Sequence, residues 1–149
     1  MKRVYFTRAG MDQFHQKLLE DKKKLKALYS RLSELADVGG DGYHDNFSYE
    51  NQMREISMLS GQIVRQESLL SCCLVIDPPK KKNQVAIGIN VLLEQNGHEE
   101  QWLVVGHGES DPDSNKIAYD TPLAQVLMGK KKDDLAVFRG SNILIKQLS

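Results

Sequence analysis

The sequence predicts an α+β protein. An N-terminal antiparallel α-helical coiled-coil hairpin spans residues 1–76, a linker spans 77–84, and a small antiparallel β-sheet domain with one helix spans 85–149. Three observations predict this. Apolar residues recur at heptad spacing in the first half and in β-branched runs in the second. Between the halves stands Asp77-Pro78-Pro79-Lys80-Lys81-Lys82-Asn83, where two prolines end any helix. Within the first half, the glycine-rich stretch Val38 to Asn46 splits the heptad pattern into two seams.

Thr7 is the expected N-cap of the first helix. Met11, Phe14, Leu18, Leu25, Leu28, Leu32 and Leu35 follow as an a/d seam with one rung missing, at Asp21. No proline interrupts this stretch as far as Asp37, so about thirty residues form a rod of about 45 Å. The second seam is Tyr49, Ile56, Leu59, Ile63 and Leu70, with Gln52 and Gln66 in its gaps. Asp45 or Asn46 is the expected cap of that helix. A short connection between helices of similar length makes them antiparallel, with residues 37–46 at the free end. Both seams lie in one chain, so an intramolecular hairpin, hence a monomer, is expected over a heptad-driven dimer.

The second half changes period. Val85 to Leu93 reads as a strand, Asn96-Gly97 as a hairpin turn, and Gln101 to Val105 as the returning strand. Gly106 to Ser114 is a loop, and Lys116 to Tyr119 a short strand. Thr121-Pro122 opens a short helix as N-cap and first helical residue, and Gly129 ends it. Leu135–Arg139 and Asn142–Lys146 are two closing strands around Gly140-Ser141.

Composition excludes several classes. Lys+Arg and Asp+Glu are 20 each, so net charge is zero. The first 76 residues hold 11 basic and 10 acidic groups and the rest 9 and 10, so neutrality holds in each half. That argues against binding a duplex through a broad basic face. There is no apolar run of membrane-spanning length and no secretory signal at the start, so a cytoplasmic protein with no membrane partner is expected. Adjacent Cys72 and Cys73 fit reduced, packed thiols rather than a disulfide framework.

The candidate chemistry sits at the hairpin tip. Asp37, Asp41 and Asp45 surround Tyr43 and His44 on a glycine-rich segment. Carboxylates so placed suit delivery of oxygen ligands to a divalent metal in another molecule's cavity, and their spacing does not match an EF-hand. Helix capping and turn formation are the alternative use. His44 is a possible acid or base at neutral pH. Lys22, Lys23, Lys24, Lys26 and Arg31 on the shaft either meet phosphates or form a solvated face. Lys130-Lys131-Lys132 follows a helix end, where cations complement the dipole. No phosphate loop, nucleophile elbow or HExxH is present, so the chain is read as no enzyme of its own.

These pieces resemble the bacterial GreA/GreB transcript cleavage factors over essentially the whole chain. Thr7 and Gly10 in Val4-Tyr5-Phe6-Thr7-Arg8-Ala9-Gly10 match the family's opening T-x-x-G. Gly40-Asp41-Gly42-Tyr43-His44-Asp45-Asn46 resembles its tip, G-D-L-S-E-N. Tyr49 matches the tyrosine that follows, and Gly61 with Ile63 matches E-G-R-I. Asp120-Thr121-Pro122-Leu123-Ala124-Gln125-Val126-Leu127-Met128-Gly129-Lys130 looks like S-S-P-I-A-R-A-L-I-G-K.

The resemblance implies an FKBP-like second domain and a role as a transcription elongation factor. Its partner is RNA polymerase, bound at the rim of the secondary channel. Rim contact falls on the loop Gly106–Asp113 and the turn 120–122, hence on Gly106, Glu109, Asp111, Asp120, Thr121 and Pro122. The tip then reaches the polymerase active site and the nascent RNA 3′ end. There Asp41 and Asp45 help hold Mg²⁺, shared with the polymerase and not bound tightly by the factor alone, and backtracked RNA is cut by the polymerase's own centre. The tip departs from the family pair: the carboxylates are Asp and Asp, four apart, instead of Asp and Glu, three apart. A channel-occupying regulator without cleavage activity is therefore the alternative. A peptidyl-prolyl isomerase or chaperone is a third reading from the FKBP-like half, but no cluster of pocket aromatics is evident around Trp102.

Overall fold

The computed structural model describes residues 2–37 and 46–149, with side chains described over 2–34 and 47–149. The tip residues Asp41, Tyr43, His44 and Asp45 lie outside the described residues, as does the side chain of Asp37. The chain divides into two compact units: Gln13–Cys72, and Met1–Asp12 together with Cys73–Ser149.

The helical unit is built from α1 (Arg8–Asp37), whose first turn belongs to the other unit, and α2 (Asn46–Ser71). Their pairing is antiparallel: Gln52 Nε2 donates to Leu28 O (3.0 Å), Lys24 meets Glu55 (3.4 Å) and Lys22 meets Glu67 (2.6 Å). Leu18, Leu59 and Ile63 form the buried seam, flanked by Leu25, Leu28 and Leu70. Tyr49, expected in that seam, is instead 41% exposed.

Two of the seam's three gaps, at Asp21 and Gln66, meet. Asp21, from the missing rung of α1, is 3% exposed. Its carboxylate accepts from Gln62 Nε2 and Gln66 Nε2, each at 2.9 Å, and pairs with Lys17 (2.9 Å). The Lys17 hydrogen bond holds the Asp21 carboxyl below its usual value, aided by Gln66 and Gln62 and opposed by burial. An acceptor-only carboxylate dictates which end of each glutamine faces it. Gln66 Oε1 is left buried with no hydrogen-bond partner.

The other unit holds β1 (Val4–Phe6) and β2 (Cys73–Val75), paired in parallel. This corrects the expected boundary: residues 1–12 and 73–76, read as hairpin, belong with the sheet domain. The short pairing is held by Phe6, 1% exposed, and extended where Ile76 N donates to Phe6 O (2.8 Å). The main sheet contains β3 (Asn90–Gln95), β4 (His98–Val105), β5 (Lys116–Ala118), β6 (Leu135–Phe138) and β7 (Ser141–Leu148), in the order β5-β4-β3-β7-β6. One helix, α3 (Pro122–Leu127), completes it.

The expected sheet was antiparallel throughout; the observed one is mixed, because β5 runs parallel to β4. A 3₁₀ turn at Pro112–Ser114 and left-handed Asn115 reverse the chain between them. The strand expected from Val85 begins only at Asn90. Val85, Ile87 and Ile89 still alternate into the core, but Gly88 has φ +91° and Pro78 lies against it, which breaks a regular ladder. Asn96 and Gly97 both take positive φ, as a two-residue hairpin turn demands, and Arg139 and Gly140 do the same between β6 and β7. Val91, Leu93, Val104, Ala136, Ile143 and Ile145 point to one face, where Ala124 and Leu127 of α3 cover them.

Candidate partner-binding surface

Thr7 sits before α1 and organises its first turn. Its Oγ1 accepts from Gly10 N (3.0 Å) as an N-cap. In a capping box the residue three further on returns a carboxylate to the cap's own N–H. Here that position is Gly10, and the carboxylate comes from the other end of the chain. Glu109 Oε1 accepts from Thr7 N (2.8 Å) and Oε2 from Thr7 Oγ1 (2.5 Å). A Cβ on Gly10 would stand 1.9 Å from Glu109 Oε1, and one on Gly106 2.2 Å from the same atom. Both glycines are therefore room for one carboxylate, which complements the positive end of α1.

The loop after β4 is tied down by further pairs. His107 N donates to Tyr5 O (2.8 Å), its ring lies edge-on to Phe6, and Nδ1 meets Asp120 Oδ2 at 2.5 Å. Asp111 Oδ2 accepts from Ser114 Oγ (2.6 Å), and this bond, with backbone N–H groups of the turn, holds its carboxyl below the usual value. Thr121 caps α3, accepting from Ala124 N (3.4 Å), and Pro122 is the first helical residue.

An apolar hollow of about 350 Å³ opens at this end of α3. Thr121 and Pro122 line it with Ser110 and Pro112, the neighbours of Asp111. Trp102 and Phe138 form its floor, each two residues from a buried core side chain on its own strand and so on the same sheet face. Lys116 and Arg139 stand at its margin, Arg139 over the Phe138 ring at 5.1 Å. This corrects the expectation that no aromatics gather near Trp102: Phe138 joins it from β6. Only the fold could bring them together, since strand order rather than spacing places them.

The six expected contact residues thus separate. Thr121 and Pro122 line the hollow and Asp111 flanks it through its neighbours. Gly106 and Glu109 serve the α1 cap, and Asp120 is engaged by His107. On the shaft, Lys22 and Lys24 are paired with Glu67 and Glu55, whereas Lys26 and Arg31 are exposed with no ion pair among the described residues. No group of three or more His, Cys, Asp or Glu among the described residues is placed to hold a metal. None of the described helices is long and apolar enough to cross a membrane.

Residues 80–147 match the family model described as the C-terminal part of the transcription elongation factor GreA/GreB. The transcription elongation factor GreA of Chloroflexus aurantiacus is 30% identical over 137 residues, covering 87% of this chain and 84% of the relative. That of Lactococcus lactis subsp. cremoris is 33% identical over 134 residues, with the same 87% and 84% covered. The crystal structure of GreA factor homolog 1 from Thermus thermophilus is 22% identical, with 99% of each chain covered and a TM-score of 0.48. The 30% and 33% identities to the two GreA relatives, across most of both chains, carry the conclusion that this chain belongs to the GreA/GreB family of transcription elongation factors.

Proposed function

We propose that this chain binds RNA polymerase through its sheet unit and brings Asp41 and Asp45 to the polymerase active centre, where it stimulates the polymerase's own cleavage of backtracked RNA. Family membership supports the partner. The observation that carries the docking site is the convergence of Thr121, Pro122, Ser110 and Pro112 on one hollow with an aromatic floor. Such a concave apolar patch with polar margins suits a partner's side-chain anchors. The factor itself breaks no bond. Two aspartates are the hard oxygen donors that Mg²⁺ takes. A bound Mg²⁺ supplies charge stabilisation and an activated water for phosphodiester hydrolysis. The chain's own contribution is to carry those carboxylates on the end of α1 and α2.

A second reading is occupation of the same channel without cleavage. The sequence of the tip favours it, since Asp41 and Asp45 are four apart and both short. Displacements of about 1 Å at such a centre can cost about a hundredfold in rate.

The docking claim is tested by binding of the full chain to core polymerase. Trp102→Ala or Pro122→Glu is expected to weaken binding at least about tenfold, consistent with loss of an interface anchor. Unchanged affinity in both variants would remove the hollow from the interface. Asp41→Ala and Asp45→Ala are expected to bind polymerase as wild type does while losing cleavage stimulation. A wild-type factor that binds but accelerates no cleavage supports occupation alone.

A further inference from the structure

Two lysine runs, nearly fifty residues apart in sequence, are brought together by the sheet unit. Val85 N donates to Lys130 O (2.8 Å), and Gly129 N donates to Val85 O (2.9 Å). The base of the preceding loop is closed where Pro78 packs against Gly88; a Cβ there would stand 2.8 Å from Pro78 Cβ. Lys82 is thus three residues from the backbone pairing that holds Lys130, and Lys80 and Lys81 precede it in the same pinned loop. Of the six lysines at 80–82 and 130–132, five are exposed and Lys130 is half-buried. None has a carboxylate partner among the described residues.

The acidic groups nearby do not cancel them. Asp77 is held by Arg8 through two contacts of 3.1 and 3.2 Å. Asp134 Oδ2 accepts from the backbone N of Lys131 (2.7 Å), and Asp133 is the remaining carboxylate. A neutral chain thus carries a local excess of positive charge. Solvation or a helix dipole explains each run alone; neither explains their juxtaposition.

Between the runs lies a second apolar hollow, of about 260 Å³. Pro79, next to one run, and Met128, two residues before the other, both line it, with Asp77, Ala86 and the rings of Tyr5 and Tyr119; the Asp77 carboxylate on this wall is the one paired with Arg8. The two tyrosines meet edge-on at 5.6 Å, and Tyr5 N donates to Tyr119 Oη (3.2 Å), which fixes the rings.

We propose that the six lysines and this aromatic hollow bind a single-stranded nucleic acid, phosphates on the lysines and a base in the hollow. Flexible point charges suit phosphates without reading sequence, and an aromatic, apolar wall accepts any base face. A duplex offers no free base for the hollow. An acidic peptide would use the lysines alone. The surface is separate from the hollow under Trp102, and its test needs no polymerase, so it stands or falls apart from the cleavage reading.

The experiment is fluorescence anisotropy of the full chain with a labelled mixed-sequence strand of about 20 nucleotides, as RNA and as DNA, between about 50 and 200 mM salt. Replacing Lys80, Lys81 and Lys82 together by Glu, or Lys130, Lys131 and Lys132 together by Glu, is expected to weaken binding at least about tenfold. Either triple change should also reduce the salt slope by about 2. Ala86→Phe, which fills the hollow without touching a lysine, is expected to weaken single-strand binding several-fold. Thermal unfolding at the wild-type midpoint confirms that each variant is folded. Binding of RNA, DNA or both that either triple change weakens supports the proposal. It is overturned if both triple variants bind as wild type does while Lys22, Lys24 and Lys26 changed to Glu abolish binding. It is likewise overturned if a duplex binds as tightly as the single strand with Ala86→Phe neutral, or if polyglutamate binds and neither strand does.

Discussion

Asp21 occupies a heptad core position where a leucine would be the ordinary choice. Its carboxylate organises Lys17, Gln62 and Gln66 into a polar layer inside the hairpin. Asp21→Ala leaves the buried Gln66 amide and the half-buried Gln62 amide without their acceptor and is expected to cost about 2–3 kcal/mol in urea unfolding. Replacing Asp21 and Gln66 together by Leu removes the layer and its orphaned oxygen, so that double variant should be at least as stable as wild type. The pH dependence has a definite sign. The Asp21 carboxyl is held below its usual value of 3.8, so the contribution is present above 3.8 and is lost as pH falls through the lowered folded value. The stability gap between wild type and Asp21→Asn should therefore be constant near neutrality and close only in acid. Gly10 supplies a second residue-scale prediction. Gly→Ala inside a helix normally gains up to about 1 kcal/mol. Here the new Cβ displaces the Glu109 carboxylate from Thr7 N and Oγ1, so Gly10→Ala should lose about 1–3 kcal/mol. Adding Glu109→Ala should relieve part of that loss, a coupling that a double-mutant cycle measures directly.

The elements differ in how openly the sequence displays them. Both helices and their break are visible because heptad spacing is a local signal repeated several times. The gaps at Asp21 and Gln66 are visible as gaps, but their meeting depends on the stagger of two helices. The Asn96-Gly97 turn is legible because positive φ at consecutive residues selects those side chains. β1 and β2 are not: they are too short to show alternation, and each exists only because the other is there. The parallel run of β5 is hidden for the same reason. Within the hairpin, Ile63→Ala removes a side chain that is 6% exposed, and is expected to cost about 2–5 kcal/mol. Val64→Ala, on a side chain 64% exposed, should change stability by less than about 0.5 kcal/mol. Equal effects in the two would contradict the seam assignment.

At the scale of the whole molecule, the chain holds two units: an antiparallel helical pair, and a mixed sheet that carries the apolar hollow under α3 proposed above as the docking site. The helix start at Thr121 and Pro122 is legible because an N-cap followed by proline is a local motif. The meeting of Trp102 and Phe138 is not, since nothing local joins β4 to β6. Glu109 is legible as a loop carboxylate, but its role as a long-range cap, 102 residues from Thr7, belongs to the fold alone. The two lysine runs had sufficient local explanations until their pairing through Val85 set them side by side. The central claim is delivery of Asp41 and Asp45 to a polymerase active centre. Its most direct test is the rate of transcript cleavage in a stalled, backtracked elongation complex with Mg²⁺, measured with and without the full chain. The account predicts that wild type accelerates cleavage and that Asp41→Ala and Asp45→Ala bind the complex without accelerating it. Wild-type factor bound to the complex with cleavage at the intrinsic rate would contradict it.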